Sequence, residues 1–304
     1  MKEGRIIQST GKWYKIASNG DTIEARLPGK FRLDAKEVTN PIAVGDYVEF
    51  EIENDGTGSI REIKERKNYV PRQATHGRRG EQILVSNIDR AWVVQSIRHP
   101  KLNTGFIDRF LVTCEAYEVP AGIIINKNDL ANVKDSRMIE DKTQLYEKLG
   151  YKTAVTSIHD ESSLQDLSEQ IKDQTSVFIG PSGVGKTSLL NAIDPEINLK
   201  VNEISSYSNK GKHTTTFAKL VALESGGFIV DTPGIREFGI VNIDKSELSL
   251  YFPEMAEPRE HCKYYNCTHY HEPKCGVVEA FEQGEIDPDR YNSYLNILET
   301  LPDY

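Results

Sequence analysis

Residues 180–187 read Gly180-Pro181-Ser182-Gly183-Val184-Gly185-Lys186-Thr187, which fills every fixed position of the pattern G-x-x-x-x-G-K-[ST]. Glycines let successive backbone N–H groups turn inward without Cβ clashes. A helix that begins where such a loop ends adds its own free amides, so loop and helix together form an anion site. Lys186 has the reach to clamp β- and γ-phosphates, and the Thr187 hydroxyl can ligate Mg²⁺. Ser188 follows directly and completes the candidate phosphate-binding set.

A second motif, Asn126-Lys127-Asn128-Asp129, stands at the end of the apolar run Ala121-Gly122-Ile123-Ile124-Ile125. A carboxylate held at Asp129 accepts hydrogen bonds from guanine N1–H and the 2-amino group, which adenine lacks. A buried polar group left unpaired by the wrong base makes such discrimination strong. A third motif, Asp231-Thr232-Pro233-Gly234, ends the run Phe228-Ile229-Val230. Asp231 can hold Mg²⁺ through water, and the Gly234 N–H can sense a γ-phosphate. Alone this is only a good turn sequence. With a phosphate loop and N-K-x-D in the same chain it indicates GTP and GDP as ligands. Between them the polar stretch 205–217 contains Lys210-Gly211-Lys212-His213-Thr214-Thr215-Thr216. Thr215 is a candidate to complete the Mg²⁺ shell. His213 is a candidate catalytic contributor or an RNA contact.

Three of the four cysteines crowd into Cys262-x4-Cys267-x-His269-x5-Cys275. Three thiolates and one imidazole make a closed tetrahedral zinc site of the structural kind. His261 and His271 compete with His269 as the nitrogen ligand. A redox-active pair is the weaker reading, because no C-x-x-C is present. Cys114 stands alone on an apolar helical face and reads as a core thiol.

The elements that must position these groups follow from periodicity. Residues 1–66 carry five short alternating runs punctuated by glycine, asparagine and proline, as in an OB-fold barrel that binds RNA. Trp13, Tyr14, Phe31 and Arg32 are candidate base-stacking residues there, or core. Residues 67–82 read as a basic linker, part of a stretch rich in arginine and lysine from Arg61 to Arg79. Residues 83–237 alternate apolar strands with helical repeats, which implies a mostly parallel sheet covered on both faces. Residues 238–304 hold the metal cluster and then a helical stretch, Val277 to Leu301, interrupted by Pro288 and with its charges on an outer face. The class is multidomain α/β. Net charge is −9, which excludes a uniformly basic nucleic-acid binder but leaves local basic patches open. No apolar stretch approaches a membrane span, and no secretory core follows the N-terminus, so a cytoplasmic protein is expected.

Ordinary small GTPases present the phosphate loop first, then the switch threonine, D-x-x-G, N-K-x-D and a serine-containing base loop. Here N-K-x-D precedes the phosphate loop, and Thr156-Ser157 is the candidate base loop. The cyclic order is kept and the start has moved, which is a circular permutation. With this order, these motifs and the metal cluster, the chain resembles the ribosome small-subunit-dependent GTPase A (RsgA) family over nearly its full length. The resemblance implies an OB-fold, a permuted P-loop GTPase domain and a zinc domain holding one Zn²⁺ per chain, with His269 as the nitrogen ligand. It implies a monomer that binds the small (30S) ribosomal subunit and its 16S rRNA in late maturation and hydrolyses GTP under stimulation by the subunit. Ile235 stands where small GTPases usually place a water-orienting glutamine, so intrinsic hydrolysis is expected to be slow. A metabolic P-loop enzyme and an RNA scaffold with a structural nucleotide are the competing classes. N-K-x-D with D-x-x-G speaks against the first, and turnover with and without subunits separates all three.

Overall fold

The computed structural model describes residues 1–28, 42–72, 82–197, 218–231 and 243–302. Phe31, Arg32, Arg78, Arg79, His213, Thr215, Gly234 and Ile235 lie outside them, and of Asp231 only the backbone is described.

Strands β1 (Lys2–Ser9), β2 (Trp13–Ser18), β3 (Asp21–Arg26), β4 (Tyr47–Ile52) and β5 (Gly58–Ile63) pair in the order β1-β2-β3-β5-β4. β1 also pairs with β4, which closes the barrel. Alternation decides which aromatic rings are inside. Tyr14 is 2% exposed and Trp13 is 44% exposed, so of these two candidates Tyr14 is barrel core and Trp13 is available for stacking. Ile6, Ile16, Ala25, Val48, Phe50 and Ile60 fill the interior with it.

The stretch expected to be a basic linker instead contains a strand, β6 (Tyr69–Arg72), paired antiparallel with β7 (Gln82–Ser86). Val70 lies opposite Val85, and both are buried. These apolar pairs hold the ribbon against the body, a short-range signal that the surrounding lysines and arginines obscure.

The main sheet runs β10 (Lys152–Val155), β9 (Ala121–Asn126), β8 (Arg90–Ser96), β11 (Thr175–Ile179), β13 (Phe228–Asp231), β12 (Lys219–Ala222). All neighbours are parallel except β12, which is antiparallel to β13. Strands buried on both faces read as unbroken apolar runs, as β9 does with all six residues buried. Helices α1 (Thr104–Ala116), α2 (Val133–Lys148), α3 (Glu161–Ile171) and α4 (Lys186–Ile193) cover the sheet. Side chains cap three of their N-termini: Asn103 accepts from the Phe106 amide, Asn132 and Asp135 form a reciprocal capping box, and Asp160 accepts from Ser163. Each such cap contributes about 1 kcal/mol. One core lies on the α1 side and takes in Cys114, Ile107, Phe110, Val93 and Ile179. The other lies under α3 and α4, around Trp92, Phe178, Leu189 and Leu167. β1 continues the main sheet into the barrel through the pairing of Gln8 with Lys219.

The C-terminal part is built from short 3-10 turns between Leu248 and His261, then α5 (Gly276–Glu282) and α6 (Pro288–Thr300). Pro288 does not interrupt a helix. It occupies the first turn of α6, where its missing N–H costs nothing, with Asp287 as the cap. The charges of this stretch are not all on an outer face. Arg290 is 1% exposed, and its guanidinium reaches Asp108 on α1 at 2.8 Å and Glu254 at 2.6 Å. Tyr146 of α2 donates to the same Asp108 oxygen at 2.8 Å. Among the described residues, no helix is long and apolar enough to cross a membrane.

Candidate nucleotide site and metal centre

The phosphate loop follows β11 directly, and α4 begins at Lys186 inside the motif. Gly183 and Gly185 have φ values of +84° and +94°, which β-carbons disfavour. A β-carbon on Gly185 would also lie 2.6 Å from Asn126 Nδ2, and one on Gly180 would lie 2.1 Å from the Val94 carbonyl oxygen. The loop is thus pressed against the ends of β8 and β9. Lys186 Nζ donates to the carbonyls of Gly180 at 2.7 Å and Pro181 at 2.9 Å, folding back over the loop. Thr187 is buried at the start of α4, while Pro181, Ser182 and Gly183 form the rim.

N-K-x-D sits where β9 ends, on the short 3-10 turn Asn128–Leu130. Its four residues divide the work. Asn126 is 2% exposed and donates from Nδ2 to the Val184 carbonyl at 2.9 Å. Thr156 fixes that orientation by donating to Asn126 Oδ1 at 3.0 Å. Lys127, with left-handed backbone, donates to the Gly183 carbonyl at 2.6 Å and to the His99 carbonyl. The Asn128 amide donates to the Thr156 carbonyl at 3.0 Å. Asp129 accepts from the Ser157 hydroxyl at 2.6 Å, and that hydroxyl in turn accepts from the His159 amide at 3.1 Å. A carboxylate oriented in this way leaves its other oxygen for a ligand's donors.

Three stretches separated in sequence, 126–129, 156–157 and 180–188, therefore meet in one hydrogen-bonded cluster at the carboxyl ends of β8, β9, β10 and β11. This is where open α/β sheets bind ligands. The β13 backbone ends alongside β11 and brings Asp231 to the same edge of the sheet. Sequence reasoning placed Asn126 among ligand-binding residues. The geometry makes it a strut between the two loops, and Thr156, which holds it, carries no motif of its own beyond its place beside Ser157. The Arg290–Asp108–Glu254 cluster was also invisible in sequence, because its members lie on three separate elements.

The second centre is Cys262, Cys267, His269 and Cys275, whose donor atoms all lie within 4.8 Å of one another. Cys262 Sγ is 3.8 Å from Cys275 Sγ and 3.5 Å from His269 Nδ1, and His269 Nδ1 is 3.4 Å from Cys275 Sγ. Tetrahedral zinc with bonds of about 2.3 Å to sulfur and 2.0 Å to nitrogen requires edges of roughly 3.5 to 3.8 Å. The donor set fits that ion, and His261 and His271 are both exposed and outside it. Burial pushes the Cys267 thiol up to about 12 and lowers His269 below the usual imidazole range. A bound dication reverses the thiol preference by favouring thiolate. Tyr291 donates to the His269 carbonyl at 2.7 Å and Tyr294 to the Thr268 carbonyl at 2.7 Å, so α6 supports the ligand loop from behind. Burial works against the charge of Glu272, but the hydroxyl and amide of Thr268, with the backbone amides of Glu272 itself and Tyr270, outweigh it and hold that carboxyl at about 2.

Two family models match the chain: the RsgA N-terminal domain over residues 3–60 and the RsgA GTPase over residues 63–241. A small ribosomal subunit biogenesis GTPase RsgA from Phocaeicola vulgatus is 45% identical over 298 residues, covering 98% of this chain and 96% of the relative. One of the same name from Flavobacterium johnsoniae is 43% identical, covering 97% and 92%. Among solved structures, YjeQ from Thermotoga maritima superposes with a TM-score of 0.80 at 33% identity, covering 98% of this chain and 97% of the other. YloQ, described as a circularly permuted GTPase, gives 0.78 at 34% identity, covering 100% and 97%.

Proposed function

Because the chain belongs to the RsgA family of circularly permuted GTPases, we propose that it binds the small ribosomal subunit through rRNA and acts in its late maturation. In that role it hydrolyses GTP to GDP and phosphate, stimulated by the subunit, and works as a cytoplasmic monomer. The observation that carries the reading is the closure of N-K-x-D and the base loop onto the phosphate loop, through Asp129–Ser157, Asn126–Val184 and Lys127–Gly183. Three motifs that arrive in permuted order rebuild one guanine-nucleotide site.

In this site Asp129, oriented by Ser157, reads the guanine edge. Amides of 182–188 and Lys186 hold the phosphates, and Lys186 exchanges its bonds to Gly180 and Pro181 for phosphate oxygens. Thr187 and Asp231, with Thr215, are suited to Mg²⁺, which when bound neutralises charge on the transferring phosphoryl group. His213 and Gly234 complete the assigned catalytic set. Cys262, Cys267, His269 and Cys275 hold one structural Zn²⁺.

The test is GTP turnover by the purified protein with and without purified small subunits. Slow turnover alone and at least roughly tenfold stimulation by subunits supports the reading. Absence of stimulation, with subunits that do bind, overturns it.

A further inference from the structure

Strand β8 ends on a serine that is closed off from water. Ser96 is 0% exposed, and a hydroxyl so buried needs a partner. It donates to the Pro100 carbonyl at 2.8 Å, closing the turn 97–100 that follows the strand. Two further bonds fix this turn. The Ile97 amide donates to the Asn126 carbonyl at 3.1 Å, beside the pairing of Ser96 with Asn126 in the β8–β9 ladder. Arg98 reaches Asp135 of α2 at 2.7 Å, on the same carboxylate oxygen that accepts the Asn132 amide at 3.0 Å in the capping box. His99, at the tip, has a φ of +53°, a left-handed backbone uncommon for a residue with a β-carbon. The turn keeps such a shape only while the surrounding bonds hold it.

The shape matters because of what His99 presents. Its carbonyl accepts from Lys127 Nζ, which also donates to the Gly183 carbonyl of the phosphate loop at 2.6 Å. A β-carbon on Gly185 would lie 3.7 Å from Lys127 Cε, and one on Gly183 would lie 3.8 Å from Pro100 Cδ, so the lysine stem and the turn both flank the loop. The ammonium is therefore held between two carbonyls, one on the phosphate loop and one on the turn. It has three donors, so one N–H remains for a ligand. Without the His99 carbonyl a flexible four-carbon stem would be left with a single anchor. Lys127 belongs to the base-reading motif and not to the groups assigned to the γ-phosphate. Contacts of that kind are made equally with GTP and GDP, so they change binding and not the chemical step.

We propose that Ser96 is a positioning residue of the nucleotide site. Its bond to Pro100 sets the 97–100 turn, the turn holds the His99 carbonyl against Lys127, and Lys127 straps the bound guanine nucleotide, so Ser96 governs how fast nucleotide dissociates. Arg98 supports the same turn from the surface side. The proposal rests on the reading of this cluster as a guanine-nucleotide site and adds a residue, outside every motif, that controls how long the nucleotide stays there.

The experiment measures dissociation of mant-labelled GDP and of a non-hydrolysable mant-GTP analogue from the full-length protein, together with single-turnover hydrolysis of GTP. Ser96→Ala should speed dissociation of both nucleotides by the same factor, roughly five- to twentyfold. The GTP concentration giving half the maximal single-turnover rate should rise by that factor, while the rate at saturation stays within about twofold. Arg98→Ala, which breaks a more exposed pair, should act in the same direction but more weakly, and Arg98→Lys should keep most of the wild-type behaviour. The decisive comparison is a double-mutant cycle with Lys127→Met, which keeps the stem and removes the ammonium. In that background Ser96→Ala and Arg98→Ala should add nothing, because the group they act through is already gone. Full additivity in the cycle overturns the proposal. So does unchanged dissociation in Ser96→Ala, or a fall in the saturated rate with dissociation unaltered. If Ser96→Ala does not fold, the cycle of Arg98→Ala with Lys127→Met decides: an acceleration that vanishes without the ammonium supports the proposal, and no effect or an additive one overturns it. Wild-type protein that fails to bind mant-GDP removes the guanine-site reading and the proposal together. Subunit-stimulated GTP turnover is measured separately. Its absence, beside a dissociation rate that responds to Ser96 through Lys127, would sink the ribosomal reading and leave the assignment of Ser96 standing.

Discussion

On the proposed function, single side chains decide which nucleotide the site takes. Asp129→Asn replaces an acceptor by an NH₂ group facing guanine's own donors. GTP affinity should fall by at least about a hundredfold while XTP affinity rises, which competition binding measures directly. Retained GTP affinity with no gain for XTP would remove Asp129 from base recognition. Ser157 acts one bond further out, through its 2.6 Å hydrogen bond to Asp129. Ser157→Ala leaves the carboxylate able to rotate and should weaken GTP by about tenfold, ~1.4 kcal/mol, without the switch to xanthine. Lys186→Ala removes a phosphate clamp and no core packing, so hydrolysis should disappear while the melting temperature holds. Turnover within about tenfold of wild type would show that the clamp is not catalytic. N-K-x-D and G-x-x-x-x-G-K-T were legible as chemistry because their spacing is local. Asn126 as a strut and Thr156 as its holder were not, because their partners lie 58 and 30 residues away.

Elements are held together by two kinds of link, and each predicts a different failure. The Cys3His cluster, with the Zn²⁺ proposed for it, would knit turns too short and polar to bury much surface of their own. Cys267→Ser should release about one zinc per chain and lower the melting temperature, read by metal analysis and calorimetry. Wild-type protein prepared without chelator and lacking zinc would contradict the assignment. The other link is Arg290, which ties α6 to Asp108 of α1 and to Glu254 and lies 4.6 Å from the Phe252 ring centroid. Burial works against its charge, but Asp108 and Glu254 more than offset that and hold the guanidinium above its ordinary range. Arg290→Met would strand two buried carboxylates and should cost about 3–5 kcal/mol in denaturant unfolding. Asp108→Asn in the same chain should recover part of the loss, because one stranded charge is then gone. In sequence Pro288 looks like a break and Arg290 like a surface charge. The difference arises because proline is as good a first helical residue as a bad interior one, and because burial of a charge depends on partners from other elements.

At the scale of the molecule, the permutation makes the segment after D-x-x-G the covalent root of the metal-binding part. That part is docked on α1 through a shared core with Val112, Leu248, Phe252 and Tyr294. The barrel is joined to the β12 edge of the sheet, with Arg5 of β1 donating to Thr175 Oγ1 of β11 at 2.7 Å and Gln8 paired with Lys219. Two attachment points on one body favour bivalent binding, in which a small shift lowers affinity steeply. Co-sedimentation at fixed salt should show non-hydrolysable GTP analogues favouring the subunit complex and GDP favouring release. Equal binding in analogue, GDP and nucleotide-free states would defeat this switch.

The sequence by itself disclosed the parallel strands and the helices of the main sheet but not its antiparallel strand β12, together with the N-K-x-D and phosphate-loop motifs and a metal-ligand set that the residues alone left open only at the histidine. These rest on local spacing and alternation, and a cyclic shift of motif order leaves them intact. Tertiary structure alone decided that Tyr14 is core and Trp13 is not, and that a basic stretch hides the β6–β7 ribbon. It also decided that Arg290 is buried, and it agrees with the family resemblance that His269, not His261 or His271, stands with the three cysteines. The physical reason is common to all of these. Each depends on which distant atoms fill the space around a side chain, and composition and period carry no information about partners contributed by other parts of the chain.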